Sequence, residues 1–328
     1  MQKIFTFLFL IIAISLFSQE EKLLTDTALK PKSLPKDTYW KKSGFAGLNA
    51  SQTSLSNWQG GGQDNIAINS ILNLQAIHTK KKHQWTSKLD AQFGLAKTGD
   101  FKLFQKNLDQ LFALSKFDSH AFGKDWFYVI QADFRSQFAP GYNYSGDSII
   151  GRATSGFFSP AYIQIALGLD FKPVDYFSIT LAPAAGKITV VSRQYLADEG
   201  AYGVEKAVLD SSGNIIKHGK RARYEFGGRI IVRFKKDIFK NVNFDSYLDL
   251  FSNYFHNPQN IDIVFNNLLT FKINKYLTAN VICQMIYDDD IIIKRDWNKD
   301  GKYDNKNDIN GPRLQVISTF ALGLGYKF

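Results

Sequence analysis

Between residues 296 and 304 the chain reads Asp-Trp-Asn-Lys-Asp-Gly-Lys-Tyr-Asp. Oxygen side chains stand first, third, fifth and ninth, as Asp296, Asn298, Asp300 and Asp304, and Gly301 stands sixth, where a sharp turn is needed. Hard oxygen ligands at that spacing wrap a Ca²⁺ ion in helix-loop-helix calcium sites. The twelfth position, where a bidentate Glu completes such a shell, is Asn307 here, with Asp308 beside it. No helices are predicted on either side. The two readings are a weak calcium site and a solvated polar loop, and no other cofactor is called for.

A second set of charges recurs at alternate positions inside apolar stretches: Lys88, Asp90, Asp133, Arg135, Glu225, Arg229, Arg233, Asp245, Asp249, Asp262 and Lys272. An extended chain turns alternate residues to one side, so these charges are predicted to share an inward face. Carrying both signs, they either pair into a plug or line a narrow aqueous path. Nothing marks catalysis. Gly60-Gly61-Gly62 lacks a following Lys-Ser or Lys-Thr and precedes a strand, so it reads as a hairpin loop and not as a phosphate cradle. His78, His83, His120, His218 and His256 fall at strand ends, turns or loops, without helical ligand spacing and without a recognisable Ser-His-acid arrangement. The run Asp288-Asp289-Asp290 reads as a solvated strand end. Lys80-Lys81-Lys82-His83 and Lys217, Lys220, Arg221 and Arg223 read as a charged rim, with lipid phosphates as the alternative partner.

The elements that must position these residues are strands. The last stretch, Leu314 to Phe328, sets Val316, Ser318, Phe320, Leu322, Leu324, Tyr326 and Phe328 against Gln315, Thr319, Ala321, Gly323, Gly325 and Lys327. That is period two, with an apolar, aromatic face opposite a small and polar one, as where one side meets lipid and the other a lumen. The same alternation predicts strands over 44–53, 65–78, 84–96, 107–117, 126–138, 162–171, 177–191, 223–234, 242–254, 261–273 and 277–287. The fourth of these has an ambiguous phase. Connections alternate between short turns and longer segments, among them 140–159, 192–222 and 288–312, which places the long ones at one end. The fold class is therefore all-β: a single antiparallel transmembrane β-barrel of about twelve strands, with short periplasmic turns and long extracellular loops.

Composition agrees. The 328 residues include 28 Phe, 15 Tyr and 5 Trp but only 8 Pro, which suits long strands. A mean hydropathy of −0.20 does not argue against a membrane, because only every second residue of a barrel strand faces lipid. Lys3 and the apolar run from Ile4 to Phe17 read as a cleaved signal peptide over 1–18, followed by a flexible periplasmic lead over 19–39 and the barrel over 40–328. Losing Lys3 with the leader takes the formal charge from +10 to +9, read as a charged rim and not as a nucleic-acid surface. The single Cys283 excludes an internal disulfide.

Several stretches resemble one family: residues 51–61, reading SQTSLSNWQGG, then Ser159-Pro160-Ala161-Tyr162, Ala182-Pro183, residues 196–203, reading LADEGAYG, and residues 286–290, reading IYDDD. The chain resembles the domain-of-unknown-function 3078 family of outer-membrane proteins of Bacteroidota. The resemblance implies an outer-membrane location in a Gram-negative bacterium and transfers no catalytic residue or ligand. The expected partners are outer-membrane lipid and the barrel-assembly machinery, the latter through the closing strand that ends on Phe328. For function, a narrow small-solute pore or partly occluded channel leads. A surface-interaction protein acting through its long loops, above all 192–222, is the alternative, and a membrane enzyme of the hydrolase or acyltransferase sort is the third reading.

Overall fold

A computed structural model describes residues 40–53, 65–99, 102–274, 276–295 and 309–328. The predicted leader, the lead segment, most of the 51–61 motif and the Asp296–Asp304 loop lie outside the described residues. Twelve strands form one closed antiparallel ring. In chain order they are β1 (Lys41–Thr53), β2 (Asn65–Lys80), β3 (His83–Thr98), β4 (Gln105–His120), β5 (Trp126–Ser136), β8 (Ala161–Val174), β9 (Phe177–Val190), β12 (Ala222–Phe239), β13 (Val242–Asn253), β14 (Ile261–Lys272), β15 (Leu277–Tyr287) and β18 (Gln315–Lys327). The remaining strands are small hairpins in the long connections: β6 (Gly141–Ser145) with β7 (Ser148–Ser155), β10 (Val208–Leu209) with β11 (Ile215–Lys217), and β16 (Ile293–Arg295) with β17 (Ile309–Gly311).

Each ring strand is the product of the period-two pattern, because only an extended chain puts all its apolar side chains on one side and all its polar ones on the other. Neighbours in sequence are neighbours in the ring, joined at one end by turns as short as Lys240-Asn241. There Asn241 takes φ 62, a conformation Asn tolerates and two-residue hairpins require. The ring closes where β1 meets β18, through rungs from Phe45↔Lys327 to Asn49↔Gly323. A reciprocal pair seals the seam: Gly44 N–H donates to Phe328 O (2.7 Å) and Phe328 N–H donates to Gly44 O (2.9 Å). The last residue is thus part of the closure.

The outer face is apolar and exposed. Tyr128, Ile130, Ile165, Leu167, Leu181, Phe226, Ile230, Phe320 and Leu324 all point away from the lumen, and Phe320 is 70% exposed. Aromatic groups ring the short-turn end, where Phe122 and Phe171 pack on Trp126, Phe234 contacts Tyr176 and Phe244, and Tyr326 stacks on Phe328. Water is the wrong solvent for such a belt; a hydrocarbon layer flanked by interfaces is the right one. The polar groups are inside instead. Among the described residues no helix is long and apolar enough to cross a membrane, so any crossing is by strands.

One irregularity resets the pattern. On β9, Ala182 and Pro183 together face the single residue Gly168 of β8, because the ladder jumps from Leu167↔Ala184 to Leu169↔Leu181. Pro183 has no N–H to donate and is tolerated at such a bulge. The inward residues of β9 are consequently Ser178, Thr180 and Ala182 before the bulge, and Ala185, Lys187 and Thr189 after it. Gly168 has no room for a side chain: a Cβ there would lie 2.0 Å from the Leu181 carbonyl oxygen. Gly168→Ala is expected to destabilise the barrel by roughly 1–3 kcal/mol, as overpacking against backbone does. The check is the urea midpoint of the folded form, read by its faster migration in unheated gels; an unchanged midpoint would remove the bulge from the account.

Candidate functional site

The lumen is filled from one side by ion pairs that run across it. At mid-height Arg229 on β12 is 1% exposed and forks onto Asp249 of β13, Nε to Oδ1 and Nη2 to Oδ2, both at 2.8 Å. Its third nitrogen, Nη1, reaches Asp133 of β5 at 2.7 Å. In the ring β8 and β9 stand between β5 and β12, so this bond is a chord through the interior and not a neighbour contact. Arg135 of β5 makes a longer chord to Asp249 at 3.2 Å and lies over the rings of Phe112 and Tyr247. The group holds two guanidiniums and two carboxylates, and Gln131 and Tyr247 donate to the same carboxylates. A buried charge is tolerated when it is paired, and the planar fork of Arg suits a carboxylate; in this group Asp133 Oδ2 is left without a hydrogen bond.

Two further tiers flank it. Toward the short turns, Lys116 hydrogen-bonds Asp170, and Lys172 pairs with Asp118 (3.1 Å) and Asp170 (3.3 Å), with Thr180 donating to Asp170. Toward the long loops, Lys187 Nζ sits between Asp262 (2.5 Å), Asp288 (3.1 Å) and Glu225 (3.7 Å). Arg223 there pairs with Glu225 at 3.0 Å and with Asp290 at 2.7 Å. Of the other charges expected inside, Lys88 pairs with Asp90 (2.7 Å), Asp245 lies 3.0 Å from Lys235 and 3.9 Å from Arg233, and half-buried Lys272 enters none of these groups.

Sequence reasoning missed all four charges of the lower tier and, in the upper tier, found only Glu225 and Asp262. Lys116 and Asp118, like Asp170 and Lys172, are opposite charges two residues apart, and that spacing is itself a signal of one strand face. Lys187 was hidden by the bulge, since strict alternation from Ser178 and Thr180 would turn it outward. Two expectations need correction. Asp288 does not solvate a strand end; it is buried and held by Lys187. Arg223 does not belong to the charged rim, because it follows the inward phase of Glu225 and Arg229 and pairs inside.

At mid-height the opposite wall carries no charge among the described residues; Asp262 and Lys272 stand at the two ends of β14. The register Tyr247↔Asn266↔Gln284↔Ile317 carries the inner face from β13 through β14 and β15 to β18. Asp245↔Leu268↔Ile282 does the same one step lower. Inward-facing Leu268 is 36% exposed and Ile317 52% exposed, so solvent enters the barrel along this side.

Over the long-loop end lies a folded cap, residues 191–221. A short helix α1 (Gln194–Asp198) contributes Leu196 and Ala197 to a small apolar cluster with Val191 and Val204. Tyr195 and Tyr202 donate to the carbonyls of Ala153 and Thr154 (2.6 and 2.7 Å), tying the cap to β7, and Arg223 donates to Gly203 O (3.2 Å), tying it to the upper ion-pair tier. Hydrogen bonds from Gln194, the Gly219 N–H and His218 hold the Asp198 carboxyl below its ordinary range.

Residues 50–142 match the family described as "Protein of unknown function (DUF3078)", in agreement with the resemblance seen in the motifs. No curated protein matches the chain. Solved structures with similar outlines include an outer membrane channel from Pseudomonas putida F1 (11% identity, 91% of this chain and 98% of that one, TM-score 0.37). They also include the NanC porin (8%, 87% and 100%, 0.35) and a mutant of the TodX monoaromatic hydrocarbon channel (9%, 89% and 90%, 0.33). At these scores the likeness adds nothing to the ladders described above.

Two outcomes are expected. Arg229→Met leaves Asp133 and Asp249 without their central partner and should cost about 3–5 kcal/mol in urea unfolding, while Arg229→Lys, charged but unforked, falls between. An Arg229→Met barrel as stable as the parent would dismiss the chord as structural support. The Asp198 contacts stabilise the cap above the unfolded carboxyl value of about 3.9 and are lost as pH falls below it. Cleavage of 191–221 by an acid-active protease should therefore rise below about pH 4, and Asp198→Asn should flatten that pH dependence.

Proposed function

We propose that the chain is an outer-membrane barrel, exported by its N-terminal leader and inserted through its closing strand, that acts as a narrow small-solute channel. The observation that carries this reading is the asymmetry of the lumen. Chord ion pairs seal the β5–β8–β9–β12 side, while the β14–β15–β18 side keeps inward side chains in contact with solvent. A ring of twelve strands is only somewhat wider than the eight-stranded barrels that side chains can fill, and half of this one is filled. What passes must be small, and it moves between a wall of fixed dipoles and a wall of carboxamides and aliphatic groups.

Among the described residues the one histidine paired with a carboxylate is His218, on Asp198, and its side chain is 66% exposed, which offers no support for enzymatic chemistry there. The folded cap favours a second reading, a surface-interaction role, because hairpin β10–β11 exposes Leu209 and Ile216 at its tip.

Planar-bilayer recording separates these. The purified barrel is expected to show a small ohmic conductance. The double variant Arg229→Ser with Asp249→Ser, which leaves Asp133 and Arg135 free to pair with each other, should raise it several-fold. No conductance above background in either protein would count against the channel and favour the surface role.

A further inference from the structure

At the loop end of the wall opposite the ion pairs, β15 and β18 frame a cavity of about 410 Å³. It sits where the ladder between these strands stops, at the rung Ile286↔Gln315. Because the wall ends there, both faces of the chain reach the same space: Gln315 and Ile317 from the lumen phase, Leu314 and Val316 from the lipid phase. Ile286 and Ile293 extend the aliphatic lining, and Gln284 adds a second carboxamide. Among the described residues Arg313 is the one charge on this lining. It is exposed, its Nη1 donates to the carbonyl of its own neighbour Pro312 at 3.0 Å, and it joins no ion pair among the described residues. The acids that follow β15 face elsewhere: Asp288 is held by Lys187 of β9 and Arg223 of β12, and Asp289 by Asn260 at the start of β14.

One guanidinium at the rim of an aliphatic cavity matches a ligand with one negative head and an apolar body. A planar carboxylate meets the fork of Arg with two parallel bonds, and the amide groups of Gln284 and Gln315 can donate to it as well. An ammonium head would meet a like charge, and a bare anion would leave the isoleucines unused. Resting on the channel reading and narrowing it to a cargo, we propose that this cavity binds aliphatic monocarboxylates. The head is assigned to Arg313 and the chain to Ile286, Ile293 and Ile317. The volume lies within the range of ordinary small-molecule pockets. Since Leu314 and Val316 give the cavity a lipid-side lining too, an anionic lipid is the competing source of the same head-and-chain chemistry.

Isothermal titration of the full-length barrel in detergent tests this with octanoate, hexanoate, octylamine, which reverses the charge of the head, and acetate, which lacks the chain. Octanoate is expected to bind at least about tenfold more tightly than octylamine or acetate. Hexanoate should fall between octanoate and acetate, since each methylene moved fully from water onto the lining is worth about fourfold. Arg313→Gln should lower octanoate affinity about tenfold and leave octylamine unchanged, which also separates binding from partition of the probe into micelles. Arg313 lies outside the ring strands, and unheated-gel migration confirms that the variant is folded. Absence of octanoate heat, octanoate no tighter than octylamine or acetate, or octanoate binding indifferent to Arg313→Gln would overturn the assignment. Native mass spectrometry supplies the other arm: phospholipid retained by the parent, lost from Arg313→Gln and not displaced by octanoate would overturn it in favour of a lipid, while lipid retention indifferent to Arg313 supports the soluble carboxylate. Octanoate discrimination without bilayer conductance would keep the site and remove the channel; conductance without discrimination would keep the channel and remove the site.

Discussion

A peptide group in hydrocarbon has no water to bond, so every strand facing lipid must find both neighbours, and a sheet can do so only by closing. The rest of this structure follows from that closure. It makes the C-terminal residue structural, through the Gly44 and Phe328 pair, and it forces the alternation that sends Phe320, Leu322 and Leu324 out and Ala321, Gly323 and Gly325 in. It also encloses charges on the inner face, where they must be paired. Ring closure and the ion-pair tiers are two sides of one constraint: the belt that satisfies lipid commits the polar residues to a confined space.

Within that space the charges are arranged as chords and not as a coating. Arg229 links β12 to β13 and β5, Arg135 links β5 to β13, and Lys187 links β9 to β14. Such bonds brace one half of the barrel against the other and displace water from that half. Their near balance of sign at mid-height and at the lower tier fits a role in filling and bracing. The upper tier differs, with carboxylates in excess of Lys187 and Arg223, and it lies beside the solvent-exposed wall and beneath the folded cap. Function is thus most naturally sought at the loop end, where charge is left over.

The twelve strands were legible from the chain because each is a local pattern. The predicted 65–78, 177–191 and 277–287, for example, are Asn65–Lys80, Phe177–Val190 and Leu277–Tyr287 in the fold. The inward phase of Asp133, Arg135, Glu225 and Arg229 was legible for the same reason. The phase of Lys187 was not, because one added residue at Pro183 exchanges the two faces of a strand. Asp288 was misread because its partner, Lys187, is distant in sequence and lies on a strand four positions around the ring from β15.

The sequence alone determined the strand count, the direction of each strand, the end at which the long connections lie and the sign of the lumen's contents, since period and polarity are properties of adjacent residues. Only the tertiary structure decided which charges meet, that Arg229 spans the interior, and that one wall is sealed while the other is wet. Those facts depend on the curvature of the closed ring and on one bulge in β9. Both are set by contacts between residues far apart in the chain, which no local pattern records.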